Sequence, residues 1–210
     1  MIRPSPEIER REQFARLLNL RKLRALAVEV GTERAAFAVQ FLEQWGGCKL
    51  WCIDPWETNM PGYDEPNIMA FDREPDYDLT VAALARFASR VTIKRTTSAK
   101  AAANMPDATF DFVYIDANHA HDAVAADLRL WWPKLTPLGI LAGHDWDPKN
   151  MPGVCRAVRG FADELKLHVY TTHEPNFKSW YIYRTHPLRL FESCEETLRL
   201  QALAEHEVKK

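Results

Sequence analysis

Apolar positions along the chain fall into two registers that alternate from the N-terminal third onward. The run Ala-Leu-Ala-Val-Glu-Val after Arg24 is short and apolar and closes on Gly31, which reads as a first strand. Residues 34–45 then place Phe37, Phe41 and Leu42 on one face at helical spacing, and Gly46-Gly47 stops the helix. The same exchange repeats. Strands are predicted at 49–53, 91–94, 110–116 and 139–145, and helices at 77–89, 98–104, 121–132 and 153–165. Two further runs, 167–171 and 179–183, lie too close together for a helical crossover and predict an antiparallel hairpin. An amphipathic helix over 5–20, with Phe14, Leu17 and Leu18 recurring, precedes the series. A helix over 188–207 follows it.

Alternating strands and helices predict an α/β fold: a Rossmann-like, doubly wound sheet, mainly parallel with an antiparallel C-terminal hairpin, and helices on both faces. One domain over 1–210 is expected, with an N-terminal helix (1–22), a core (23–185) and a C-terminal helix (188–207). Two segments break the periodicity. Residues 56–76 are rich in Pro, Gly, Asp, Asn and aromatics, and 146–152 are irregular; both read as binding loops. They are where acceptor specificity is expected to reside.

Composition narrows the class. Apolar residues make up 47% of the 210, which suits a globular core, and the formal net charge of -2 gives no basic excess for a nucleic-acid partner. The basic run between Arg3 and Arg24 reads as a solvated helix face. No segment has the ~18 apolar residues of a membrane span, and the N-terminus lacks the apolar core of a signal peptide. A soluble, cytoplasmic protein is expected. Cys48, Cys52, Cys155 and Cys194 fit neither zinc spacing nor a disulfide framework.

The chemistry-bearing residues gather at the carboxyl ends of the predicted strands: Glu29, Gly31, Asp54, Asp116, His144 and Asp145. Ligands of open α/β sheets bind there. Gly31 is expected to let the backbone approach a ligand. Asp54, roughly 20 residues on, suits a ribose diol, because a carboxylate accepts and two hydroxyls donate. The G-x-G-x-x-G of dinucleotide sites is absent, which favours a nucleoside without phosphates.

Four stretches carry a family resemblance: Glu29-Val-Gly31, Ile53-Asp-Pro-Trp56, Phe110-Asp-Phe-Val-Tyr-Ile-Asp-Ala-Asn-His119, and Gly139-Ile-Leu-Ala-Gly-His-Asp145. Over about Ala25 to Tyr183 the chain resembles class I S-adenosylmethionine-dependent methyltransferases, and within them the O-methyltransferase-like group labelled methyltransferase domain 24. The resemblance implies S-adenosylmethionine as cofactor. It places Glu29 and Gly31 at the methionine part and Asp54 at the ribose, with Thr32 and Pro55 also among the cofactor-binding residues. Trp56, Thr97 and Ser98 fall near the adenine, and Asp116 near the reacting end. Ala35 stands where a glycine is usual, and its methyl is expected to narrow the turn; Leu138-Gly139 replaces a common Gly-Gly.

The resemblance also implies a metal option, Mg²⁺ or another divalent ion, on Asp116, His144 and Asp145. The alternative there is a hydrogen-bonded polar cluster without metal. His119 is the candidate general base, because an unperturbed imidazole titrates near pH ~6.5, with Asp116 beside it. His121 has similar spacing but starts a helix. Tyr63, Met60, Trp146 and Trp180 are candidates for lining an acceptor pocket, whereas Trp131 and Trp132 read as core. His173 and His186 carry no motif.

The function expected is O-methylation of a small-molecule hydroxyl. A non-catalytic S-adenosylmethionine-binding module, a nicotinamide-dependent reductase and a metal hydrolase on the same fold stand as alternatives. The terminal helices are candidate contacts of a homo-oligomer.

Overall fold

The computed structural model describes residues 8–58, 60 and 71–185. Residues 8–184 belong to one compact body. The start of the first expected helix, Tyr63, His186, Cys194 and the helix expected at 188–207 all lie outside the described residues.

Among the described residues, seven strands form one sheet in the order β3-β2-β1-β4-β5-β7-β6. They are β1 (Leu26–Val30), β2 (Lys49–Asp54), β3 (Val91–Arg95), β4 (Phe110–Ile115), β5 (Leu135–Trp146), β6 (Tyr170–Thr171) and β7 (Lys178–Tyr183). The first five run parallel, and β7 is antiparallel to both β5 and β6. This is the doubly wound, Rossmann-like sheet with its closing hairpin. The strand order reverses between β1 and β4, so a crevice opens beyond their carboxyl ends.

Around the sheet lie α1 (Phe14–Leu20), α2 (Ala36–Gln44), α3 (Glu74–Leu84), α4 (Ser98–Ala103), α5 (His121–Trp131) and α6 (Pro152–Glu164). The central strands bury both faces, and their alternation feeds two cores. Ala27, Phe112 and Tyr114 join one core, beneath α1 and α2. Val28, Val30, Val113 and Ile115 join the other, beneath α4, α5 and α6. Phe14 anchors α1, packing against Phe112, Tyr114 and Tyr181 with ring centroids 5.4, 5.9 and 5.6 Å away. Trp131 is fully buried and Trp132 packs on Phe161.

Boundaries shift in a few places. Helix over 11–20 starts as a 3-10 turn, Arg11–Gln13, before α1. β5 begins at Leu135, four residues before the expected start, and passes a register shift opposite Phe110 and Phe112. β6 keeps only two of the five expected residues. Cys48 is exposed, Cys52 and Cys155 are buried, and all three are free thiols.

Candidate functional site

Backbone geometry marks the crevice. Gly31 (φ +90°) follows β1, and Glu33, Ala35, Trp56 and Asp145 adopt positive φ of 48°, 62°, 43° and 61°. Such conformations cost about 1–2 kcal/mol each in residues with a side chain, and they collect where a site requires a fixed loop path. Gly31 is required for a reason the sequence does not reveal. A Cβ there would lie 2.0 Å from the backbone oxygen of Asp116. The glycine admits the end of β4, not only a ligand. Ala35 is fully buried at the N-cap of α2, so its departure from glycine is borne as left-handed backbone rather than as a narrowed pocket.

A cavity of about 250 Å³ opens on these turns. Gly31, Asp54, Pro55, Trp56, Thr97 and Ser98 line it, so six of the expected cofactor residues converge. Asp54 holds both flanking loops: its two carboxylate oxygens accept from the backbone N–H of Trp56 (2.8 Å) and Glu33 (3.0 Å). Burial raises the Asp54 pKa above the ordinary carboxylate value, partly offset by those two bonds. Each oxygen keeps a lone pair for further donors. The Trp56 indole donates to the Glu33 carbonyl (2.8 Å) and packs edge-on against Tyr77 at 5.1 Å. Thr97 caps α4 by accepting from Lys100 N at 3.4 Å. Among the described lining residues the cation is Arg73, and it is already paired with Glu33 (3.5 Å) and Asp76 (3.1 Å). That suits an uncharged nucleoside better than a pyrophosphate.

Glu29 and Thr32 sit at the same turn, 2% and 3% exposed. Glu29 Oε2 and Thr32 Oγ1 are enclosed together at this turn. Burial, reinforced by the charge of Asp116, pushes the Glu29 carboxyl well above its usual range, against a hydrogen bond from Thr32. Neither side chain is among the residues that line the cavity.

The second cluster stands at the ends of β4 and β5. Asp116, His144 and Asp145 offer ligand atoms that all lie within 4.8 Å of one another. His144 Nδ1 is 3.1 Å from Asp145 Oδ1 and 3.9 Å from Asp116 Oδ1. Two carboxylates and an imidazole are a donor set that suits a divalent ion. Burial, aided by repulsion from Asp145, raises the Asp116 carboxyl to about 6 against the pull of His144 and Arg11. Burial also opposes ionisation of Asp145, but hydrogen bonds from His119 and His144 overcome it and hold Asp145 below the usual carboxylate range. The same bond to Asp145, with the charge of Asp116, outweighs the burial of His144 and raises its pKa. His119 is delivered to Asp145 rather than to Asp116, with Nε2 2.9 Å from Oδ2. Gly153 secures this placement, because a Cβ there would meet the His119 carbonyl at 2.6 Å.

Beside this cluster lies a larger cavity of about 630 Å³ that shares His144 with it. Its described walls lie outside both expected binding loops. They come from Glu9, Arg10, Arg11 and Glu12 and from the β6–β7 loop, His173 to Phe177. The Arg11 N–H donates to Glu174 at 2.7 Å, tying two segments that are distant in sequence. The Arg11 guanidinium reaches within 3.9 Å of Asp116. Of the aromatics expected here, Trp180 is buried and donates its indole N–H to the His144 carbonyl at 3.1 Å, so it supports the site from beneath. Trp146 stacks under Arg159, and Met60 lines the smaller cavity. Asp127, which sequence reasoning left without a role, also lines that cavity.

Comparison with known proteins agrees with this geometry. Residues 28–146 match the model of a family described as a methyltransferase domain, more than half of the chain. The chain belongs to this family, and its fold is that of class I S-adenosylmethionine-dependent methyltransferases. Comparison with curated proteins gives no match. Among solved structures, an O-methyltransferase from Bacillus cereus in complex with SAH is similar at 14% identity and a TM-score of 0.57, covering 82% of this chain and 80% of that one. A methyltransferase from Geobacter sulfurreducens matches at 16% and 0.57, covering 85% and 80%. Spermidine synthase from Thermotoga maritima matches at 12% and 0.56, covering 83% and 60%. At such identities the likeness shows the fold. No helix among the described residues is long and apolar enough to cross a membrane.

Proposed function

We propose that the protein transfers the methyl group of S-adenosylmethionine to the oxygen of a small-molecule hydroxyl. The observation that carries this reading is one juxtaposition: a nucleoside-sized cavity floored by Asp54 opens beside a carboxylate–imidazole cluster at the same mouth of the sheet. When bound, the cofactor supplies a methyl group already activated by its sulfonium. The chain then has to bind, orient and deprotonate. Asp54 would accept from the ribose diol, and the buried Glu29 and Thr32 would hold the turn at the methionine part. Gly31, Pro55, Trp56, Thr97 and Ser98 would shape the walls.

His119 is the proposed base. Asp145, 2.9 Å from Nε2, orients the imidazole, and its carboxylate would stabilise the imidazolium that forms when the proton is taken. Asp116, His144 and Asp145 are the residues that would hold a divalent ion, whose chemistry would be to polarise the acceptor oxygen. The acceptor would occupy the larger cavity walled by Arg11, His173 and Phe177. The test is incubation with methyl-labelled S-adenosylmethionine and panels of phenols, sugars and polyketide hydroxyls. Label recovered as a methyl ether supports the reading. Label on nitrogen or carbon only, or none with any acceptor, contradicts it.

A further inference from the structure

Asp127 is an acid in the wrong place for a structural helix residue. It lies in the middle of α5, where Val124, Leu128 and Trp131 are buried, and it is itself only 8% exposed. What remains accessible faces the 250 Å³ cavity. Burial raises its carboxyl to about 6, and a hydrogen bond from Ser98 works in the opposite direction. Ser98 is the hydrogen-bonding partner that Asp127 has among the described residues.

The Ser98 hydroxyl is fully committed. Its one proton goes to Asp127 Oδ1, and its oxygen accepts the Trp131 indole N–H at 2.9 Å. Ser98 therefore has no donor left for a ligand and serves to orient the carboxylate. The second carboxylate oxygen, Oδ2, is an acceptor without a protein donor among the described residues. Around it the wall is apolar, made by Ala99, Ala123, Ala126 and Leu130. A flat base fits between such walls, and Asp127 offers an acceptor to its polar edge.

We propose that Asp127 Oδ2 accepts a hydrogen bond from the exocyclic amine at C6 of the bound purine, which makes Asp127 the residue that selects a 6-aminopurine nucleoside over a 6-oxopurine one. The inference rests on the S-adenosylmethionine reading of the same cavity. A 6-oxo base turns a carbonyl oxygen toward the carboxylate, acceptor against acceptor, whereas a 6-amino base presents a donor. A buried polar contact of this kind discriminates strongly, because the mismatched ligand leaves the protein group unpaired.

The experiment is titration of the whole protein with S-adenosylhomocysteine and with S-inosylhomocysteine, for the wild type and for Asp127→Asn, whose amide can donate to a 6-oxo group. The wild type is expected to prefer the adenosyl ligand by roughly 10- to 100-fold, and Asp127→Asn to lose most of that preference. Equal wild-type affinities overturn the role of Asp127 while leaving the cofactor site standing. So does an Asp127→Asn protein that melts cooperatively and keeps the wild-type ratio. Failure of the wild type to bind either ligand overturns the cofactor reading itself.

Discussion

The backbone oxygen of Asp116 occupies the space that a side chain at Gly31 would need, 2.0 Å from the position of its Cβ. The ends of β1 and β4 are thereby locked together at the point where strand order reverses. Gly31→Ala meets both this clash and a φ of +90°. It is expected to destabilise the protein by about 3 kcal/mol, lowering the melting temperature by roughly 6–12 °C in calorimetry. An unchanged melting temperature would show that the two strand ends are free to part.

Ala35 presents the reverse case. Its φ of 62° is one that glycine adopts without strain, and its side chain is fully buried. Ala35→Gly is expected to stabilise the fold by up to about 1 kcal/mol, raising the melting temperature by roughly 2–4 °C. A fall in melting temperature would mean that lost methyl packing outweighs the relief of strain.

The strand ends were legible in the sequence because each apolar run stops on an acid or glycine, as at Gly31, Asp54, Asp116 and Asp145. β5 was harder. Its first residues, Leu135 to Leu138, include a proline and two exposed positions, so they lack the strand signature that pairing with β4 confers on them. The walls of the larger cavity were not legible at all. Arg11 and Glu174 meet across 163 residues, backbone N–H to side-chain carboxylate, and nothing local announces it. The Ser98–Asp127–Trp131 chain is of the same kind, since its members come from two helices. His119 was found from its spacing to Asp116, yet its partner is Asp145 on the next strand.

Asp127 gives a pH signature of the unliganded fold. Its folded-state pKa, about 6, lies above the ordinary 3.8, so the folded state binds the proton more tightly than the unfolded one. Its burial is therefore tolerated below about pH 4 and destabilising as pH rises through 6. The stability of Asp127→Asn relative to wild type should grow by up to about 3 kcal/mol between pH 4 and 7, measured by urea unfolding. A difference that does not change with pH would contradict the burial argument.

His119 touches the cluster at Asp145 and is not part of the nucleoside-sized cavity. Substitution should therefore separate chemistry from binding. His119→Ala is expected to lower turnover on an identified acceptor by roughly 10²- to 10⁴-fold, with S-adenosylhomocysteine affinity within about twofold of wild type. Full turnover in the variant would assign the proton to another group.

The central claim is that the cavity at Gly31 and Asp54 takes a phosphate-free adenosyl ligand. Isothermal titration with S-adenosylhomocysteine and with NAD, each with and without Mg²⁺, tests it most directly. Saturable binding of the first, none of the second, and a loss of at least roughly tenfold in Asp54→Ala are the predicted results. No heat with S-adenosylhomocysteine, or an Asp54→Ala protein that binds as wild type does, would contradict the account.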